Sequence, residues 1–296
     1  MALNLNSLRL FEAVARHGGF TRAAEAAHVS QPAISKAVRE LERGLSVALL
    51  ERGPRGARLT EAGTALAEHA RTIFGLARSA EADMRAFRSL ELGTLRIGAS
   101  TTIATYLLPP LLGRFAARHP GVDVRLASAN TREIVRRLQG YELDVALVEG
   151  PVAEDGVTVT PWREDVLMLI APAPHPLAGR SVAWPRVAAE RLLVREAGSG
   201  TAEVVAAALA ARGLRMGRTV ELGSTEAIKQ AVAAGLGLAF VSRAAAADQL
   251  ALGTVALVTV RGLTIRRTFA RIALAGRRAS TMARAFDEVA RELAPT

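Results

Sequence analysis

Gln31, Pro32, Ser35, Lys36 and Arg39 recur at helical spacing in the stretch FTRAAEAAHVSQPAISKAVREL, residues 20–41. Side chains of these types on one helix face suit the major groove of DNA. Glutamine pairs bidentately with adenine, serine reaches base edges or backbone, and lysine and arginine reach phosphates or guanine. The opposite face carries Ile34, Val38 and Leu41 at i, i+4 and i+7, the spacing of a buried stripe. His28-Val29-Ser30 makes a tight turn before this helix, with Ser30 as its cap and Pro32 in its first turn, where a missing N–H costs little. A shorter helix precedes the turn. Thr21 is placed to cap it and joins the DNA-facing set, while Ala23, Ala24 and Ala27 keep one side small enough for close packing. A solvated polar face on an ordinary helical hairpin is the competing reading of the same pattern.

A second set of residues suits binding of a small molecule. Ser100-Thr101-Thr102, Ser199-Gly200-Thr201 and Ser224-Thr225 each stand where a strand pattern gives way to a helix pattern. Such junctions combine backbone N–H groups at a helix N-terminus with side-chain donors, and anions bind there. Serine and threonine are also the ordinary helix caps, so each junction alone has a purely structural explanation. Glu149, at the end of another strand, is expected on the rim of the same cleft.

Catalytic patterns do not emerge. The five histidines are scattered without metal spacing, Gly198-Ser199-Gly200 lacks the G-x-S-x-G form, and no Walker or GxGxxG sequence follows a strand. The expectation is a protein without catalysis, cofactor or metal.

The elements that must hold these residues follow in order. Asn6–His17 puts Leu8, Phe11 and Ala15 on one helical face, and Gly18-Gly19 ends it. Leu49–Leu59 reads as a two-stranded wing turning at Gly53-Pro54 and Gly56. One long helix is then expected from Thr60 to about Ser89. Leu66, Ala70, Ile73, Ala77, Ala80, Met84 and Phe87 alternate in steps of four and three along it, the period of a coiled-coil dimer seam. Packing against the chain's own C-terminal domain is the alternative. After a junction at Leu90–Gly93 the pattern becomes alternating strands and helices, which implies doubly wound parallel sheets.

Composition bounds the class. The chain has 296 residues, half of them hydrophobic, with a mean hydropathy of +0.21 and no cysteine, which excludes disulfides and thiolate chemistry. No apolar run reaches the roughly 18 residues that a membrane helix needs, and the N-terminus lacks a signal-peptide pattern, so a cytoplasmic protein is expected. The net charge of +10 suits a polyanionic partner. Residues 1–60 contribute nine basic against five acidic side chains, so the excess is spread along the chain.

SQPAISKAVRELE, with FTRAAEAAHV before it and LLERGPRGARLTEAG after it, closely resembles the DNA-binding signature of LysR-type transcriptional regulators. The resemblance covers a whole winged helix-turn-helix; the family's usual phenylalanine is Leu50 here. It implies that the wing meets DNA backbone and minor groove through Arg52 and Arg55. The region after residue 93 is similar to the family's effector domain, an α/β two-lobed fold like that of type II periplasmic solute-binding proteins. The implied organisation is a winged domain (1–59), a linker and dimerisation helix (60–89) and an effector domain (93–296). In the last, lobe 1 would span about 93–161 and 268–296, and lobe 2 about 162–267, with crossings near Pro161–Asp165 and Arg261–Thr268.

Also implied are an inverted-repeat double-stranded DNA operator, an effector between the lobes, a dimer or a tetramer of paired dimers, and contact with RNA polymerase. NTREIVRRLQGYELDVALVEG, residues 130–150, looks like the subgroup of regulators of sulfur assimilation and carbon fixation, which implies a small anionic effector. Two rivals stand beside this reading. A solute-binding protein of a transport or metabolic system would leave residues 1–89 unexplained. A DNA-binding scaffold with a vestigial cleft would lack the ligand response.

Overall fold

A computed structural model describes residues 3–53, 56–86 and 93–292. It divides the chain into two compact units, Met1–Met84 and Arg85–Thr296.

The first unit packs α1 (Leu5–His17), α2 (Phe20–Ala27) and α3 (Gln31–Leu45) around Leu8, Phe11, Val14, Ile34, Val38 and Leu41. Asn4 caps α1 by accepting from the N–H groups of Asn6 and Ser7. The helix ends at Gly18, whose φ of +67° is a left-handed cap that glycine adopts without strain. Ser30 caps α3, its hydroxyl accepting from Ala33 N at 3.3 Å. Thr21 is not the cap of α2. That helix begins one residue earlier, at Phe20, after the extended backbone of Gly19, and no side chain caps it. The wing follows as β1 (Leu50–Gly53) paired antiparallel with β2 (Gly56–Leu59). Pro54 and Arg55 lie outside the described residues.

The long helix α4 spans Glu61–Ala86. Its early turns belong to the unit's own core: Ala67, Ala70 and Phe74 are buried there, with Leu66 and Ile73 half-buried against them. Close docking is required at Gly63, where a Cβ would lie 2.0 Å from the Leu49 carbonyl oxygen. Ala70 is therefore a core residue of its own unit rather than part of an open seam. Ala77, Ala80 and Met84 are exposed, Met84 at 60 %. Phe87, the last residue of the expected seam, lies outside the described residues, as do residues 88–92.

The second unit is one continuous sheet in the order β4-β3-β5-β12-β6-β10-β8-β9, with β11 added on β6 and β7 on β11. The strands are β3 (Gly93–Ser100), β4 (Val122–Ala129), β5 (Val145–Glu149), β6 (Val157–Pro172), β7 (Ser181–Val182), β8 (Leu192–Arg195), β9 (Thr219–Leu222), β10 (Leu238–Ser242), β11 (Val255–Val260) and β12 (Ile265–Leu274). Two long strands run through both lobes. β6 and β12 pair antiparallel along their length, and their register shifts between Phe269 and Ala270, beside Trp162. On one side of that irregularity β12 pairs with β5; on the other β6 pairs with β10 and β11.

Helices cover the faces: α5 (Leu108–Arg118), α6 (Thr131–Gln139) and α11 (Thr281–Glu292) in the first lobe, α7 (Trp184–Ala188), α8 (Gly200–Ala210), α9 (Thr225–Ala233) and α10 (Arg243–Ala251) in the second. The helical segment after β3 begins as a π-helical turn, Ile103–Leu107, and becomes α-helical at Leu108 with Pro109 and Pro110 following. Separate cores serve the lobes, one around Leu95, Ile97, Phe115 and Phe286, another around Leu169, Leu192, Leu209 and Leu238.

Candidate functional site

Two surfaces carry the candidate chemistry. On α3, Gln31, Pro32, Lys36 and Arg39 are exposed and Ser35 is half-buried, while Ile34, Val38 and Leu41 face inward. Thr21 and Ser30 are also exposed, at the starts of α2 and α3. Lys36 is nearly free for a phosphate: its Nζ lies 3.9 Å from Glu40 and its side chain is 76 % exposed. Arg39 Nε donates to the Ser35 carbonyl at 3.2 Å, which holds the guanidinium along the helix face.

The cleft is assembled from strand ends of both lobes. The first contributes Ser100 at the end of β3 with Thr101 and Thr102 after it, Asn130 and Thr131 at the start of α6, and Glu149 at the end of β5. The second contributes Arg195 and Glu196 after β8, Ser199, Gly200 and Thr201 at the start of α8, Thr225 at the start of α9, and Arg267 on β12.

Glu149 stands at the centre, not on the rim as expected; it is 1 % exposed. Its Oε1 accepts from Thr102 Oγ1 at 3.3 Å and from Thr201 Oγ1 at 3.2 Å, one donor from each lobe. Its Oε2 lies 3.0 Å from Arg267 Nη1, but the approach lacks hydrogen-bond geometry, so this contact is an ion pair only. Arg267 is itself buried. Nη1 donates to Thr201 Oγ1 at 2.8 Å and Nε to Asp165 Oδ2 at 2.8 Å, and Asp165 accepts from Ser242 Oγ at 2.9 Å. Backbone approach is equally close. A Cβ on Gly200 would lie 1.7 Å from the Glu149 carbonyl oxygen, so only glycine fits there. Thr131 Oγ1 donates to that carbonyl at 2.8 Å.

Arg195 forms a second bridge. Nη1 donates to Thr101 Oγ1 at 2.8 Å in the first lobe and to Thr225 Oγ1 at 2.9 Å in the second, while Nε and Nη2 form a fork on Glu196 at 2.7 and 2.8 Å. Burial opposes ionisation of Glu196, but the Arg195 fork outweighs it and the net direction is below the usual carboxylate range. Across the mouth, Asn130 Nδ2 donates to Glu196 Oε1 at 3.4 Å and Arg132 N to the Gly198 carbonyl at 3.3 Å.

The predicted hydroxyls therefore divide. Thr102 and Thr201 join the bridge at Glu149, and Thr101 and Thr225 the bridge at Arg195. Ser224 joins neither; its Oγ caps α9 by accepting from Ala227 N at 3.3 Å. Ser100 and Ser199 are buried, 0 % and 1 % exposed, and their hydroxyls lack a partner among the described residues, as does Arg267 Nη2. Buried polar groups are rarely left this way, and each calls for an explanation, a bound ligand, ion or water among them. Arg195, Arg267, Asp165 and Thr131 escaped the sequence reading. Arg195 ends the otherwise apolar strand LLVR, but IRRTF offers two adjacent arginines, and only strand register turns Arg267 inward.

Comparison with known proteins identifies both parts of the chain. Residues 5–64 match the bacterial regulatory helix-turn-helix of the lysR family, and residues 88–295 match the LysR substrate binding domain. The chain is 36 % identical over 289 residues to the RuBisCO operon transcriptional regulator of Allochromatium vinosum, covering 97 % of this chain and 95 % of that protein. Full-length CbnR complexed with its target DNA is 25 % identical with a TM-score of 0.71, covering 98 % of this chain and 99 % of that one. The regulatory domain of CcmR from Synechocystis PCC6803, in complex with 2-PG, is 32 % identical with a TM-score of 0.64, covering 69 % of this chain and 98 % of that domain.

Proposed function

We propose that this chain, which belongs to the LysR family of DNA-binding transcriptional regulators, adjusts its promoter contacts in response to a small anion held between the lobes of its second unit. The observation that carries this reading is the pair of orphaned hydroxyls, Ser100 in one lobe and Ser199 in the other, in a cleft that also holds Arg195 and Arg267. A ligand oxygen accepting from both serines would gain charge-assisted bonds from each lobe and so favour closure by its differential affinity. The kinship to RuBisCO operon regulators and to a domain bound to 2-PG supports a phosphorylated or carboxylated small molecule as the effector.

In the same reading α3 enters the major groove of an inverted-repeat operator, with Gln31 and Ser35 toward bases and Lys36 and Arg39 toward phosphates. The wing residues Arg52 and Arg55 add backbone and minor-groove contacts. Two chains pair along the exposed part of α4, through Ala77, Ala80 and Met84, and such dimers join into a tetramer that contacts RNA polymerase. The protein acts in the cytoplasm, without catalysis or cofactor. Among the described residues no helix is long and apolar enough to cross a membrane.

Calorimetry of the full chain with 2-PG, inorganic phosphate and sulfate, paired with footprinting, tests the effector. One of these anions should bind and alter the footprint. Ser199→Ala should weaken that binding by about 10-fold or more and leave DNA affinity measured in the absence of the anion intact. Equal affinity of parent and variant would sink the site.

A further inference from the structure

The side of the cleft formed by the π-helical turn carries a contact that the ligand site does not use. Tyr106, on that turn in the first lobe, donates its hydroxyl to Glu226 Oε2 at 2.6 Å and accepts from Lys229 Nζ at 3.0 Å. Lys229 Nζ is also 3.0 Å from Glu226 Oε2 and 4.7 Å from the centre of the Tyr106 ring, and its side chain is 3 % exposed. Glu226 and Lys229 both stand on α9 in the second lobe, one turn apart.

Three features make this arrangement suited to repeated opening. Glu226 and Lys229 keep each other as partners when the lobes separate, because they share a helix. Opening thus removes two hydrogen bonds and a cation–π contact but strands no buried charge, which is the expensive event. The Tyr106 hydroxyl also stays a donor at all ordinary pH. Burial, then the hydrogen bond and charge of Glu226, and then Asp248, all raise its pKa further above the usual tyrosine value. The turn itself is π-helical, a rare local geometry that concentrates at functional positions. It follows directly on Ser100-Thr101-Thr102, so whatever holds the turn also aims those donors.

We propose that Tyr106, Glu226 and Lys229 form a latch between the lobes that sets how completely the cleft closes, with Tyr106 as the positioning residue for the Ser100–Thr102 donors. The latch rests on the effector reading for its purpose but not for its existence. Its consequence is selection by size: an anion enclosed within the cleft lets the latch shut, whereas a longer one must hold it open and forgo these bonds.

The absence of cysteine in the chain allows a clean distance measurement. Ala117→Cys on α5 and Ala211→Cys after α8, both at exposed positions, would be spin-labelled in the full chain and diluted with unlabelled chain. Pulsed dipolar spectroscopy would then be recorded with no added ligand. Tyr106→Phe keeps the ring and its cation–π contact but removes both hydrogen bonds, so the ratio of short to long interlobe distances should fall about three- to ten-fold. Lys229→Met should act in the same direction. Unchanged distributions in both variants overturn the latch. Calorimetry with 2-PG and inorganic phosphate forms the second arm, in which Tyr106→Phe should weaken binding by a similar factor. A shifted distance with no anion bound in the parent supports the latch and counts against the effector reading alone.

Discussion

Arg267→Met is the substitution whose consequence the structure specifies most fully. The guanidinium is 1 % exposed and lies between two carboxylates, Asp165 at 2.8 Å and Glu149 at 3.0 Å, which are 6 % and 2 % exposed. Methionine fills similar volume, so packing is largely kept, but two buried negative charges lose their shared cation. Removing one partner of a buried ion pair costs about 3–5 kcal/mol. With about 4 kcal/mol as the middle of that range, a unit of this size should melt roughly 8–16 °C lower. Calorimetric melting of the full chain at neutral pH reads that transition. Arg267 also lies 4.8 Å from the Phe269 ring, and that contact is lost as well. A loss below about 1 kcal/mol would refute the claim that this network is a desolvated ionic core.

Three further outcomes follow from other parts of the molecule. The hydrogen bond from Arg136, opposed by burial and reinforced by Arg137, lowers the Glu133 pKa to about 2. Since the folded value is depressed, its contribution is present above the unfolded carboxylate range and is lost as the pH falls toward about 2. Glu133→Gln should thus lower neutral-pH stability by only ~0.5–1 kcal/mol, given its partial exposure, and converge with the parent in acid denaturation curves; a gap that persists at pH 2 contradicts the assignment. On α3, Gln31→Ala should relax sequence preference, whereas Lys36→Ala should weaken all duplexes alike and reduce the salt slope by about one unit; equal losses from both on specific and scrambled DNA would defeat that division. On α4, Ala80→Glu should dissociate a dimer in sedimentation while leaving the first unit folded, and Ala70→Glu should unfold that unit; an unchanged assembly with Ala80→Glu removes the exposed stretch as the pairing surface.

Most strands and helices were legible because apolar runs and capping residues mark them, as at Ser30 and Ser224. β7 and α7 were not, since two and five residues are too short to show a period. The face of α4 was ambiguous for a geometric reason. Steps of three and four describe both a coiled-coil seam and the stripe that packs on a unit's own core, and over the first turns the two coincide. Ala70 therefore satisfied both patterns, and only the close approach at Gly63 decides between them. The hydroxyl junctions could be read from sequence because helix starts are local. Their cationic partners could not, because which of Arg266 and Arg267 turns inward depends on strand register, and Arg195 meets Thr101 across 94 residues of chain. Glu149 was misplaced to the rim because a charged residue at a strand end ordinarily meets water; here Arg267 and two threonines from opposite lobes make burial tolerable.

That placement of Glu149 changes what an effector must do. Thr102 and Thr201 were expected to donate to an incoming anion from opposite lobes, but both already donate to Glu149. On the proposed reading, an anion that takes either donor displaces the carboxylate as acceptor, and its gain is only the difference between the two bonds. It would also stand beside a like charge, a repulsion of about 4 kcal/mol for unit charges 4 Å apart at an effective dielectric near 20. Ser100 and Ser199 carry no such offset. Their hydroxyls are desolvated and unpartnered, so a bond from either to a ligand contributes its full value. On that reading the discriminating contacts lie with the serines, while Glu149, Arg195, Arg267 and the threonines fix how the lobes meet. This division is why Ser199→Ala, rather than a threonine variant, tests the site: it changes what a ligand gains without removing a bond that joins the lobes.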